Sequence, residues 1–183
     1  MTELQLIQQS KKGDTSCFSQ LVKLYEDRLY HYLLARCHSS YDAEDILQDT
    51  FISAYKYIHS YQTKWQFSTW LFTIANRLIK KQHKTYYSNN EYLEIGDDPE
   101  QLRPSIFDRN NIWIEIKNIL KADAFDVLWF YYIEELTIKE ITQVLQHSQS
   151  WVKISLFRSK KKLAKNKKIQ FLSRDYFLQG IIL

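Results

Sequence analysis

The chain predicts an all-α protein: two small helical domains joined by a flexible acidic linker, the C-terminal one containing a helix-turn-helix. Three observations predict it. The 183 residues include only 3 Gly and 2 Pro, so the residues that punctuate sheets and tight turns are scarce. Apolar residues recur at the three-and-four spacing of buried helical stripes. Both prolines, Pro99 and Pro104, fall in a stretch carrying Glu91, Glu94, Asp97, Asp98 and Glu100 that separates two such periodic regions, as a linker does. The expected boundaries are a first domain at 1–86, a linker at 87–109, a second domain at 110–168 and an apolar extension at 169–183.

In the first domain, Cys17 and Cys37 each sit in an amphipathic helical pattern, where a small buried thiol is the ordinary explanation. Asp42 can cap a helix whose apolar residues Leu47, Phe51, Ala54, Tyr55 and Ile58 form one stripe. Its opposite face presents Asp45, Gln48 and Asp49, an acidic patch suited to a basic protein partner. Carboxylates near a helix start also complement its dipole, so the patch alone decides nothing.

A knot of aromatics follows: Tyr55, Tyr57, Tyr61, Trp65, Phe67, Trp70 and Phe72. Phe67 and Phe72 fit a helical core. Tyr61, Trp65 and Trp70 are harder to bury completely, and rings beside a basic groove are what single-stranded nucleic acid binding uses. Ser68 or Thr69 can then start a second helix, with Leu71, Ile74, Ala75 and Leu78 inside and Thr73, Asn76, Arg77, Lys80, Lys81 and Lys84 outside. No carboxylate interrupts the chain from Gln62 to Asn90, so this outer face suits phosphates or base edges.

In the second domain, Thr137 with Glu140 three residues on is a capping box opening a short helix through about Leu145. Gln146 and His147 make the turn, and Ser148 can cap the next helix, with Val152, Leu156 and Leu163 buried. Ser150, Lys153, Ile154, Phe157, Arg158 and Lys161 share its outward face, the candidate recognition surface. From Ile141 to Ser173 there is neither Asp nor Glu, which favours a polyanionic partner over a merely solvated lysine run. Ile154 and Phe157 are apolar on this polar face. They suit thymine methyls in a major groove, or equally a neighbouring helix.

The order of these motifs resembles one family, the extracytoplasmic-function sigma factors of bacterial RNA polymerase. Asp42-Ala43-Glu44-Asp45-Ile46-Leu47-Gln48-Asp49-Thr50-Phe51 looks like that family's polymerase-binding helix. Phe67-Ser68-Thr69-Trp70-Leu71-Phe72-Thr73-Ile74-Ala75-Asn76-Arg77 looks like its promoter-melting and minus-ten-reading segment. Upstream, Gly13-Asp14 followed by Phe18, Leu21 and Tyr25 fits its first helix. The resemblance implies a factor that binds core RNA polymerase through Asp45, Gln48 and Asp49. Tyr61, Trp65, Trp70, Asn76, Arg77, Lys80 and Lys81 would then work at the minus-ten region, and Ser150, Lys153, Ile154, Phe157, Arg158 and Lys161 at the minus-thirty-five element. It also implies an anti-sigma factor as a further partner. The family commonly has Gly at the place of Gln146, Thr at Trp151 and Ser-Arg at Ile154-Ser155, so the base sequence read here is this chain's own.

Other chemistries find little support. No paired ligand spacing accompanies His31, Cys37 and His38, no glycine-rich phosphate loop or nucleophile motif appears, and the expectation is no metal, no cofactor, no small-molecule substrate and no enzymatic activity. Met1-Thr2-Glu3-Leu4 does not open a secretory signal, and no apolar run is long enough to span a bilayer, so a cytoplasmic protein without stable membrane insertion is expected. The net charge of +4 is modest because acidic and basic regions are segregated along the chain. The apolar segment from Ile169 to Leu183 suits a short extra helix docked on the second domain or on a partner, and less well a membrane-surface anchor. Two competing functions remain: a helix-turn-helix regulator that acts without polymerase on a palindromic site, and a scaffold that has lost DNA binding.

Overall fold

The computed structural model describes residues 1–37, 39–89 and 112–172, with residues 85–89 and 171–172 described by backbone alone. The described residues are helical and contain no strand, and the chain divides into two compact units, Met1–Leu102 and Arg103–Leu183. That division falls inside the acidic, proline-bearing segment, most of which lies outside the described residues.

The first unit is built from α1 (Glu3–Lys11), α2 (Thr15–Arg36), α3 (Ser40–Tyr57), a 3₁₀ turn (Ile58–Ser60) and α4 (Phe67–Asn89). Thr2 and Gln5 form a capping box at the start of α1, the Gln5 Oε1 accepting the Thr2 N–H at 2.8 Å. Gly13, at φ +96°, closes that helix while its N–H reaches Ser10 O and the Asp14 N–H reaches Gln9 O. Only glycine holds such a backbone cheaply, and the reversal lets α1 pack back along α2. Asp14 then caps α2, its Oδ1 accepting from Ser16 N (2.9 Å) and Cys17 N (3.1 Å). The Ser16 hydroxyl, followed by these amides, holds the Asp14 carboxyl below its ordinary range.

Leu21, Leu29, Tyr32 and Leu33 of α2 meet Ala43, Ile46 and Ala54 of α3 and Phe67, Leu71, Phe72, Ala75 and Ile79 of α4 in the buried interior. Both buried stripes differ from the expected ones. In α3 the buried line is Ala43, Ile46, Thr50 and Ala54, continued by Ile58, while Tyr55 is exposed and Leu47 and Phe51 are half-buried. In α4, Thr73 and Asn76 lie inside, whereas Ile74 and Leu78 are half-buried. Short polar side chains make these faces: Thr50 Oγ1 donates to Ile46 O at 2.6 Å and Thr73 Oγ1 to Thr69 O at 2.7 Å, so each hydroxyl can be buried without cost to its hydrogen bonding. The caps also shift. Ser39 rather than Asp42 caps α3, and α4 begins at Phe67, before Ser68 and Thr69, both of which are buried. Asp42 instead accepts from Gln82 Nε2 at 2.8 Å, tying α3 to α4.

The second unit comprises α5 (Ile112–Ile119), α6 (Ala122–Tyr132), α7 (Ile138–Leu145), α8 (Gln149–Ala164) and α9 (Lys167–Leu172). Trp113, Phe125 and Trp129 pack ring on ring at 5.1–5.9 Å, with Ile116, Val127, Leu128 and Phe130 beside them in the core. The Thr137–Glu140 capping box forms as expected, with Glu140 Oε2 accepting the Thr137 N–H at 2.9 Å. Ser148 caps α8 through the Trp151 N–H, and Val152, Leu156, Ser159 and Leu163 are its buried line. α9 packs against α5, burying Ile169, and Lys168 pairs with Glu115. The start of the apolar extension is thus a short helix docked on its own unit, and the rest lies outside the described residues. Cys17 and Cys37 are both free and buried.

Candidate functional site

In the first unit, three surfaces follow one another along the chain. Asp45, Gln48 and Asp49 are all exposed on α3. Tyr41 (69% exposed) and Ile52 (65%) lie on the same face, at the spacing 41, 45, 48, 52 that one side of a helix takes. The acidic patch is therefore bracketed by two large apolar side chains. The three-and-four spacing that marks buried stripes carried this signal too, but Tyr41 and Ile52 do not belong to the core stripe.

The aromatic cluster is a built structure. Tyr61, Phe67 and Trp70 form a triangle with centroids 5.3–5.5 Å apart, and Tyr25 adds a fourth ring 5.5 Å from Phe67. Trp65 and Trp70 are half-buried. Lys64 lies over the Trp65 ring at 5.5 Å, so a cation and a ring face already sit together. Tyr61 is placed differently from expectation: it is 6% exposed, with its hydroxyl donating to Trp65 O at 2.7 Å. Lys11 Nζ donates to Tyr61 O at 2.7 Å and lies over its ring. Burial, more than the neighbouring Glu3 charge, pushes the Tyr61 phenol up. Its place is beneath the cluster, holding the loop that carries Trp65.

Asn76 is likewise inside rather than on the outer face. It is 2% exposed and donates through Nδ2 to the Tyr32 hydroxyl at 3.1 Å. Arg77, Lys80, Lys81 and Lys84 are exposed along α4 as expected. The exposed face of this helix is thus narrower than its sequence suggested, a cationic edge beside two half-buried indoles.

In the second unit, Ser150, Lys153, Ile154, Phe157, Arg158 and Lys161 are all exposed on α8. The turn before it is held by contacts that the sequence did not reveal. Gln146 takes the left-handed conformation at φ 59°, ψ 38°, its N–H bonded to Thr142 O at 3.0 Å. His147 Nε2 lies 3.0 Å from Asp123 Oδ2 in the first turn of α6, and the His147 ring stacks on Trp151 at 3.7 Å and 15°. Trp151, one of the departures from the family pattern, therefore braces the turn against α8. Residues 123 and 147 are too far apart for local periodicity to connect them.

Neither unit shows, among its described residues, a cluster of His, Cys, Asp or Glu able to hold a metal ion, or a helix long and apolar enough to cross a membrane. What the surfaces can do is bind: acid and apolar anchors on α3, rings and cations at α4, cations and apolar groups on α8.

The chain is similar to known proteins. The family model described as Sigma-70 region 2 matches residues 21–86, the stretch that contains the α3 and α4 surfaces. The ECF RNA polymerase sigma factor SigW of Bacillus subtilis is 33% identical over 176 residues, covering 87% of this chain and 93% of that protein. SigM of the same organism is 31% identical over 157 residues, covering 79% of this chain and 91% of its own. Among solved structures, CnrH in complex with the cytosolic domain of CnrY matches at TM-score 0.65 and 19% identity, covering 93% of this chain and 96% of that one. The sigma factor RpoE in complex with the anti-sigma factor NepR from Bartonella quintana also matches at TM-score 0.65, with 18% identity over 87% of this chain and 98% of that one. At these identities the two structures speak for the fold.

Proposed function

The chain belongs to the extracytoplasmic-function sigma factors of bacterial RNA polymerase, and on that premise we propose how its surfaces divide the work. A member of this family binds core RNA polymerase, directs promoter-specific initiation and makes or breaks no bond itself. The domain division at 1–86, 87–109, 110–168 and 169–183 goes with this reading.

Asp45, Gln48 and Asp49 dock α3 on core polymerase, carboxylates meeting basic side chains, with Tyr41 and Ile52 as apolar anchors at either end. Arg77, Lys80 and Lys81 hold the minus-ten backbone. Trp65 and Trp70 receive an unpaired base, where stacking worth about 1–3 kcal/mol offsets the loss of its place in the duplex. Tyr61 and Asn76 act from within, fixing the ring triangle and α4. In the second unit Lys153, Arg158 and Lys161 grip the upstream duplex, with Ser150, Ile154 and Phe157 toward base edges. An anti-sigma factor is a further partner, and work on polymerase and chromosomal DNA places the chain in the cytoplasm.

One observation carries this reading: an exposed acidic face with apolar anchors stands on the same unit as the ring cluster and the cationic edge of α4. A regulator acting without polymerase has no task for that face. The test is co-elution of the purified chain with bacterial core polymerase at moderate salt, which screens nonspecific charge binding. Wild type should co-elute and the Asp45→Arg/Asp49→Arg chain should not. Binding that is equal in both, or absent from both, overturns the assignment of the α3 surface.

A further inference from the structure

Resting on the promoter-binding reading of α8, we propose that Ile154 and Phe157 make this chain selective for thymine in the upstream element, by packing on the 5-methyl group in the major groove. The sequence left these two residues a choice between DNA and a neighbouring helix. Ile154 is 48% exposed and Phe157 66%, so among the described residues no helix of the second unit covers them, and the buried line of α8 is already filled by Val152, Leu156 and Leu163. They stand three residues apart, neighbours on one helical face.

The surroundings say what covers them. Lys153, Arg158 and Lys161 share the exposed face, and no Asp or Glu occurs from Ile141 to Ser173. A cationic rim around an apolar centre calls for a polyanion that itself presents an apolar group. The major groove of duplex DNA does this at one natural base, thymine, whose methyl group separates it from cytosine. Ile154 neither donates nor accepts a hydrogen bond, so it gains nothing from the polar edges that a serine would read without regard to the methyl. Its β-branched side chain is also nearly fixed in rotamer on a helix, so docking orders little that was free. Burying one methyl group is worth a factor of about four in affinity, which sets the size of the expected discrimination.

The experiment uses the full chain assembled with core polymerase. Duplexes are enriched from a pool randomised across the upstream element, and the best one is remade with uracil in place of thymine at each position in turn, which removes the methyl alone. Wild type should bind about three- to fivefold more weakly at one or two positions. A chain carrying Ile154→Ser and Phe157→Ser should not distinguish thymine from uracil there, while its unchanged melting shows that exposed positions were altered. Enrichment of a duplex with no uracil sensitivity anywhere overturns the inference and leaves the promoter reading standing. Sensitivity that persists in the double variant moves the contact to other residues and equally overturns it. Failure to enrich any duplex removes the promoter reading itself.

Discussion

α4 and α8 both carry a basic face, yet they are built differently. In α8 the two jobs occupy separate sides: Val152, Leu156, Ser159 and Leu163 hold the fold, and Ser150, Lys153, Ile154, Phe157, Arg158 and Lys161 face solvent. In α4 the jobs interleave. Trp70 is half-buried against Phe67 and Tyr61, Asn76 bonds Tyr32 across the core, and Arg77 is exposed right after it. A helix that only docks can present a finished surface. One that receives a base, as proposed for α4, needs apolar rings within reach, and Trp70 is packed against the core rings Phe67 and Tyr61.

The sharpest break of this comparison is Phe67→Ala. Phe67 is 1% exposed and touches Tyr25, Tyr61 and Trp70, so its removal should cost about 3–5 kcal/mol and disorganise the ring triangle at once. Urea unfolding and tryptophan fluorescence read both effects. Near-normal stability with lost melting activity would show that the cluster is separable from the core after all.

The converse holds for α8. Lys153→Ala with Arg158→Ala should leave unfolding within about 0.5 kcal/mol of wild type. Duplex binding should weaken about uniformly across sequences, and the slope of log affinity against log salt should fall by about 2 where both residues meet phosphates. Salt-dependent binding of the polymerase-assembled chain measures this. An unchanged slope removes both residues from the DNA backbone.

The same contrast decides what could be read from sequence. The helix-turn-helix was legible nearly residue by residue, because its caps are local and its apolar letters coincide with its buried face: Thr137, Glu140, Ser148, Val152, Leu156 and Leu163 all fall as expected. In α3 and α4 the buried faces were misjudged because Thr50, Thr73 and Asn76 belong to them. Apolar periodicity skips such residues, and what lets them inside is a hydrogen bond to an i−4 carbonyl or, for Asn76, to a tyrosine 44 positions away. Tyr61 was misplaced for the same reason: its hydroxyl finds Trp65 O, and Lys11 reaches it from a helix 50 residues upstream. The exposed members, Asp45, Gln48, Asp49, Arg77, Lys80 and Lys81, were where the sequence put them, since charged and amide side chains mark the solvent side of a helix.

Asn76→Ala sharpens this point with a smaller effect. It leaves the Tyr32 hydroxyl, itself buried, without that amide donor, and should cost about 1–3 kcal/mol. Adding Tyr32→Phe should cost less than the sum of the two single changes, because both remove the same bond. Simple additivity in urea unfolding would mean that the bond contributes nothing, and Asn76 would return to consideration as a base-reading residue.

The smallest effect concerns the turn before α8. Gln146 holds φ 59°, a region that costs a side chain with a Cβ and costs glycine nothing. Its N–H bond to Thr142 O is a backbone contact that glycine keeps, and only the Nε2 bond to Gln143 O is lost. Relief of strain should therefore outweigh the larger unfolded-state freedom of glycine, and Gln146→Gly should stabilise the second unit by up to about 1 kcal/mol. The response is expected in the second unit, whose own residues Asp123, Thr142 and Trp151 hold the turn. A melt, with the His147 ring-proton NMR shifts that the stacked Trp151 ring displaces, distinguishes a tighter turn from a looser one. Destabilisation would mean that the Gln146 side chain, through its bond to Gln143 O, holds the turn by more than its left-handed backbone costs it.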